Sequence, residues 1–79
     1  MKVTVNNNVY EMSKKHLNGI LSIAKKKVTF GIYAIQKDDY CELRKDKFDN
    51  EKSLKKSVAD YQEQGFKVYY NDKKENAHE

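Results

Sequence analysis

The chain has no proline, no tryptophan and a single cysteine among its 79 residues. Because Cys41 has no second cysteine to pair with, an internal disulfide is excluded, which fits a reducing compartment. No apolar run approaches the roughly 20 residues that cross a bilayer. The first twenty residues also lack the apolar core of a signal peptide. The sequence therefore predicts a small soluble domain in the cytoplasm that does not bind membranes.

Recognisable catalytic and metal-binding patterns are also missing. His16 and His78 lie far apart, and with one cysteine there is no ligand spacing for zinc. Cys41 alternates onto the apolar side of its predicted strand, which favours a buried, inert thiol over a catalytic Cys–His pair. Asp38 and Asp39 fit a turn between strands better than a catalytic carboxylate pair. The three glycines are scattered and form no phosphate loop. We therefore predict a non-enzymatic protein without cofactor or metal.

Charged residues make up 35% of the chain and apolar residues 38%, so most positions must face water. Nine aromatic residues and clear periodicity argue against a disordered chain. Alternation and helical spacing predict the order ββαββαβ, with strands in MKVTV, VYEM, VTFGIYAIQ, YCELR and FKVYY and helices after Ser13 and after Asp49–Asn50.

This order predicts the α+β class, with an antiparallel sheet and two helices packed on one of its faces. If the first hairpin counts as one element, the order is that of a ferredoxin-like two-layer sandwich. One domain is predicted over residues 1–70, followed by a flexible C-terminal tail at 71–79.

The first predicted helix is strongly basic. Residues 1–27 carry six lysines against one acid, Glu11. The candidate basic face consists of Lys14, Lys15, Lys25, Lys26 and Lys27. Unneutralised lysines repel one another modestly and attract an anionic partner, although a solvated helix that keeps the protein soluble explains them too. Lysine suits a phosphate backbone or an acidic protein equally well, whereas specific base recognition favours arginine, and the chain has only Arg44.

The second candidate surface is the sheet face that the helices leave open. Alternation places three tyrosines, an isoleucine and two basic residues on that face. These six residues are Tyr33, Ile35, Tyr40, Arg44, Lys67 and Tyr69. Tyrosine offers a large contact area with a polar tip, as partner-binding surfaces require. The alternative is that these tyrosines only pair across strands.

Two resemblances suggest functions. The segment TFGIYAIQ, residues 29–36, resembles the glycine-aromatic signature of RNA-recognition sheets, although it lies on the second strand of the βαββαβ order instead of the third. That resemblance implies a nucleic-acid-binding protein whose aromatic side chains stack on bases.

In length, in its Lys-, Asn- and Tyr-rich composition and in its layout, the whole chain resembles small accessory proteins of phages and mobile elements of low-GC Gram-positive bacteria. This second resemblance implies a protein that binds and modulates or inhibits a host protein, such as a defence-system component, and it is our preferred prediction. A homodimer that pairs its open sheet faces is a further alternative.

Overall fold

The computed structural model of the chain describes residues 1–72. They form five strands and two helices, namely β1 (Lys2–Val5), β2 (Asn8–Glu11), α1 (Lys14–Lys27), β3 (Phe30–Lys37), β4 (Tyr40–Lys47), α2 (Glu51–Glu63) and β5 (Lys67–Asp72). The predicted α+β class and ββαββαβ order are confirmed. β5 continues two residues beyond the predicted domain end at 70. The rest of the predicted tail, with His78, lies outside the described residues.

Local chemistry accounts for the helix starts. The hydroxyl of Ser13 accepts a hydrogen bond from the backbone N–H of His16 at 3.2 Å. The amide oxygen of Asn50 does the same for Ser53 at 2.9 Å. Each side chain satisfies one of the N–H groups that the first helical turn leaves without a partner.

Local chemistry also accounts for the hairpin turns. Asn6 and Asn7 connect β1 to β2 with φ angles of 52° and 70°, a conformation that asparagine tolerates better than most residues. Asp38, between β3 and β4, has a φ of 54°. Asp38 is a turn residue, as the sequence predicts, and Asn6 and Asn7 lie in the gap between the first two predicted strands.

The five strands form one sheet in the order β2-β1-β4-β3-β5. Every neighbouring pair is antiparallel except β1 and β4, which are parallel and align Lys2 with Tyr40 and Thr4 with Glu42. This parallel contact joins the N-terminal hairpin to the rest of the sheet.

The two helices pack against different cores. The buried residues are Val3, Leu17, Leu21, Val28, Tyr33, Ala34 and Cys41 in the core beside α1, and Ile32, Ile35, Leu54 and Val58 in the core beside α2. Ala34 and Ile35 are consecutive in β3 but belong to different cores, and consecutive strand residues point to opposite faces. The helices therefore cover opposite faces of the sheet, which corrects the expectation that both pack on one face.

Chain connectivity explains this arrangement. β2 and β4 run in opposite directions, and the connections from β2 through α1 to β3 and from β4 through α2 to β5 step the same way along the sheet. Connections between parallel strands are nearly always right-handed. Two right-handed connections that start in opposite directions place their helices on opposite faces. The single covered face of a ferredoxin-like sandwich does not fit this strand order.

Candidate functional site

The six residues predicted to share an open sheet face lie on two faces. On the α1 side are Tyr33, Lys67 and Tyr69, and on the α2 side are Ile35, Tyr40 and Arg44. The register of β3 shifts between Ile32 and Ala34 against both of its neighbours. This bulge reverses the alternation after Tyr33, so an alternation count that runs through it assigns the wrong face.

Two of these residues are inaccessible. Tyr33 is 8% exposed and Ile35 is 3% exposed. The ring of Tyr33 lies 6.0 Å from that of Tyr69, and the Tyr69 hydroxyl donates a 2.9 Å hydrogen bond to Oε1 of Gln36. Burial raises the pKa of the Tyr33 phenol. Base stacking on a platform that needs Tyr33 and Ile35 is therefore not available in this fold.

The other two residues on the α2 side contact neighbours within the chain. The Arg44 guanidinium binds the carboxylates of Glu42, at 3.1 Å, and Asp46, and lies 5.7 Å from the ring centre of Tyr61. The hydrogen bond to Asp46 raises the pKa of Arg44. Tyr40 is 37% exposed, and its hydroxyl donates to Oε1 of Glu42 at 3.4 Å. Of the three tyrosines among the six predicted residues, Tyr40 is the most exposed.

The predicted basic face lies on the surface of α1. All five of its lysines are exposed, namely Lys14, Lys15, Lys25, Lys26 and Lys27. Within residues 1–72 none of them forms an ion pair, whereas in α2 the Lys55 ammonium binds Glu51 at 3.1 Å. Residues 14–27 hold five lysines and no acid, and residues 51–63 hold three lysines and three acids. The two helices of one small domain thus differ sharply in charge.

The start of α1 departs from what favours helix stability. Lys14 and Lys15 occupy its first turn, where the helix dipole is positive and acidic side chains are preferred. α2 follows the preference, with Glu51 in its first turn. Each lysine in the first turn of α1 costs about 0.3–1 kcal/mol at low ionic strength. Local stability therefore does not explain these two residues, and such violations are characteristic of functional sites.

An apolar groove of about 440 Å³ lies beside the C-terminal half of α1, against the β1–β2 turn and β4. Its apolar lining comes from Val5, Ile20, Ile23, Ala24, Val28 and Leu43. Lys27 and Lys45 also line it, so positive charge borders an apolar surface. Glu42 is a lining residue too, but its carboxylate accepts a hydrogen bond from Arg44.

Ile23 is the residue of this surface that sequence reasoning missed. It is 58% exposed and lies between the groove and a shallower depression that Lys15, His16 and Gly19 help to line. The signal was available, because at about 100° per residue Ile23 falls on the same side of the helix as Lys15, Gly19 and Lys26. A search for the buried stripe passes over an isoleucine on the polar side.

Cys41 lies in the core beneath α1, fully buried, and burial raises its pKa to about 11. A thiol with so high a pKa stays protonated near neutral pH and is a poor nucleophile. Among residues 1–72 no three His, Cys, Asp or Glu side chains cluster in a way that could hold a metal ion.

Neither α1 nor α2 is long and apolar enough to cross a membrane.

The fold and its surface define a small α+β domain whose first helix presents exposed lysines, an exposed isoleucine and one wall of an apolar groove. Comparisons of the chain with protein-family models, with curated proteins and with solved structures find no match.

Proposed function

We propose that this protein is a non-enzymatic binding protein that docks on an acidic surface of a partner protein through the outer face of α1. This face is the exposed side of the helix that carries Lys15, Gly19, Ile23 and Lys26. The observation that carries the proposal is that α1 holds five exposed lysines, without an ion-pair partner among the described residues, together with an exposed isoleucine and an apolar groove along its side. In the host cell, the protein acts as an accessory protein of a phage or mobile element. It modulates or inhibits the host protein that it covers, such as a defence-system component.

The apolar part of the surface favours a protein partner over nucleic acid. A phosphate backbone would neutralise the lysines but leave Ile23 and the groove walls without a complementary surface. An acidic protein surface with apolar side chains at its centre would cover both. Arg44, the residue best suited to base recognition, is held by Glu42 and Asp46.

The surface also favours a different protein over a second copy of the chain. Each face of the sheet carries a helix, so neither face is fully open for pairing with a second copy of the chain. Pairing through α1 would bring together two helices that each hold five lysines and no acid. Like charges placed together at an interface oppose association.

Two triple variants with equal charge change test the proposal. One replaces Lys25, Lys26 and Lys27 of α1 by glutamine, and the other replaces Lys52, Lys55 and Lys56 of α2. The probe is a short fluorescein-labelled poly-glutamate peptide, measured by anisotropy at two salt concentrations. We expect the α1 variant to bind about tenfold more weakly than the wild type, a loss of about 1.4 kcal/mol. The α2 variant should stay close to the wild type.

Equal losses in both variants would show that overall charge, and not α1, governs binding, and the proposal would be rejected. The same titration with single-stranded and double-stranded oligonucleotides of matched length provides the second comparison. If either oligonucleotide bound more tightly than the peptide at matched salt and depended on the α1 lysines, nucleic acid would replace protein as the partner.

A further inference from the structure

We infer that the partner contacts α1 with an amphipathic helix, apolar at its centre and acidic towards both ends, which approaches closest at Gly19. The inference rests on the proposed function, because it assumes that the acidic partner binds the outer face of α1. It adds the shape of the partner's binding element and the residues that select it.

Gly19 is the first observation. It lies in the middle of α1, where glycine is the least favourable residue apart from proline. A Cβ added there would meet nothing within 4 Å, so no close contact inside the fold requires a glycine. Helices approach each other most closely where the side chains at the contact are small. Glycine at this position therefore lowers the stability of the helix and leaves room on the outside of the molecule.

Ile23 is the second observation, since it lies one turn after Gly19 on the same side of the helix. It stands between two hollows, the apolar groove beside Lys27 and the shallower depression beside His16. A ridge with a hollow on either side is the surface that side chains of a second helix fill when ridges pack into grooves. The apolar lining of the groove beside Lys27 predicts apolar side chains at the centre of the partner helix.

The lysines supply the third observation. Lys15 and Lys26 fall on the same side of α1 as Gly19, and at the rise of an α-helix they lie about 16 Å apart along its axis. A partner helix that lies alongside can place acidic residues opposite both of them while its apolar residues face Ile23. A second copy of α1 would bring lysine to these positions, and nucleic acid would leave Gly19 and Ile23 without a role.

The test uses the full chain and two labelled, alanine-rich peptides of identical length and composition. The first peptide has leucines along one helical face and glutamates near both ends, with the same spacing in sequence as Lys15 and Lys26. The second distributes the same residues so that no face is apolar. We expect the first peptide to bind at least tenfold more tightly than the second, as measured by fluorescence anisotropy.

Three variants locate the contact. Gly19→Leu removes the space for close approach, and Ile23→Ser removes the apolar ridge, so each should weaken binding of the amphipathic peptide at least tenfold without affecting the shuffled one. Asn18→Leu is the matched control, because it adds the same side chain at an exposed position of α1 off this side of the helix. Gly19→Leu should also raise the melting temperature, which separates loss of binding from loss of folding.

The outcomes separate the inference from the proposed function. Equal binding of both peptides that still depends on the α1 lysines would overturn the helical partner and leave the proposed function standing. No binding of either peptide or of poly-glutamate would overturn both. A dimer in sedimentation that Ile23→Ser abolishes would make a second copy of the chain the occupant, and would also overturn the inference.

Discussion

The same substitution, glycine to alanine, should have opposite effects at two positions of this fold. At Gly31 in β3, an added Cβ would lie 2.0 Å from the carbonyl oxygen of Asp46 and 3.0 Å from both the carbonyl carbon of Asp46 and Cα of Lys47. All three atoms belong to the backbone of β4, so no side chain can turn aside. At Gly19 in α1, the added Cβ would meet nothing within 4 Å.

The expected magnitudes follow from these surroundings. An oxygen so close to a carbon lies far inside van der Waals contact, so the backbone of β4 must shift and the β3–β4 pairing is disrupted. We expect Gly31→Ala to lower the free energy of unfolding by about 3 kcal/mol, the upper end of the range for strained backbone and overpacked cores. Gly19→Ala should raise it by about 0.5–1 kcal/mol, the difference in helix propensity between the two residues.

Urea unfolding followed by circular dichroism measures both effects, and the chain has no tryptophan to report instead. A change of about 1 kcal/mol corresponds to a shift of about 4–8 °C in the melting temperature of a domain this small. If Gly31→Ala lay within about 1 kcal/mol of the wild type, the close approach of β3 to the β4 backbone at Asp46 would be refuted. If Gly19→Ala destabilised the protein, Gly19 would have a role inside the fold.

Three further predictions concern the core, the caps and the charge of α1. Burial raises the pKa of Cys41 in the folded protein to about 11, whereas the thiol of the unfolded chain has a pKa near 9. The stability that the protonated thiol contributes is therefore fully present below pH 9 and is lost as the pH rises to 11, because the unfolded chain ionises first. The unfolding free energy of the wild type should therefore fall over that interval by up to about 3 kcal/mol relative to the Cys41→Ala variant, and parallel pH profiles would contradict this. Asn50→Ala removes the cap bond to Ser53 and should cost about 1 kcal/mol in urea unfolding, whereas no loss would mean that the cap bond is not formed in solution. Lys15→Glu should raise stability by about 0.3–1 kcal/mol at low salt while weakening binding of poly-glutamate, and a variant that binds as the wild type does would place Lys15 outside the interface.

Local signals in the sequence predict the elements of this fold. Asn6–Asn7 marks the first turn, Ser13 and Asn50 mark the helix starts, and alternation marks the strands. Each of these signals acts between residues close in the chain, so it can be read without knowing the tertiary structure. Helical spacing predicts the five exposed lysines of α1 in the same way.

The faces of the sheet cannot be predicted in this way. The bulge at Tyr33 depends on how β3 meets both β4 and β5. The placement of α2 opposite α1 depends on the parallel pairing of β1 with β4, which brings Lys2 beside Tyr40. Alternation therefore predicts Tyr33 and Ile35 as surface residues, and both are buried. Pairing between strands that are distant in sequence decides which side chains are buried, and alternation along one strand does not reveal that pairing.

The most direct test of the central claim is a map of amide chemical shifts of the ¹⁵N-labelled protein during titration with the amphipathic acidic peptide. We expect the perturbed amides to lie in α1 and in the walls of the groove, around Ile23 and Leu43, with α2 unchanged. Shifts centred on α2, or spread evenly over every lysine-bearing surface, would contradict a binding site on α1.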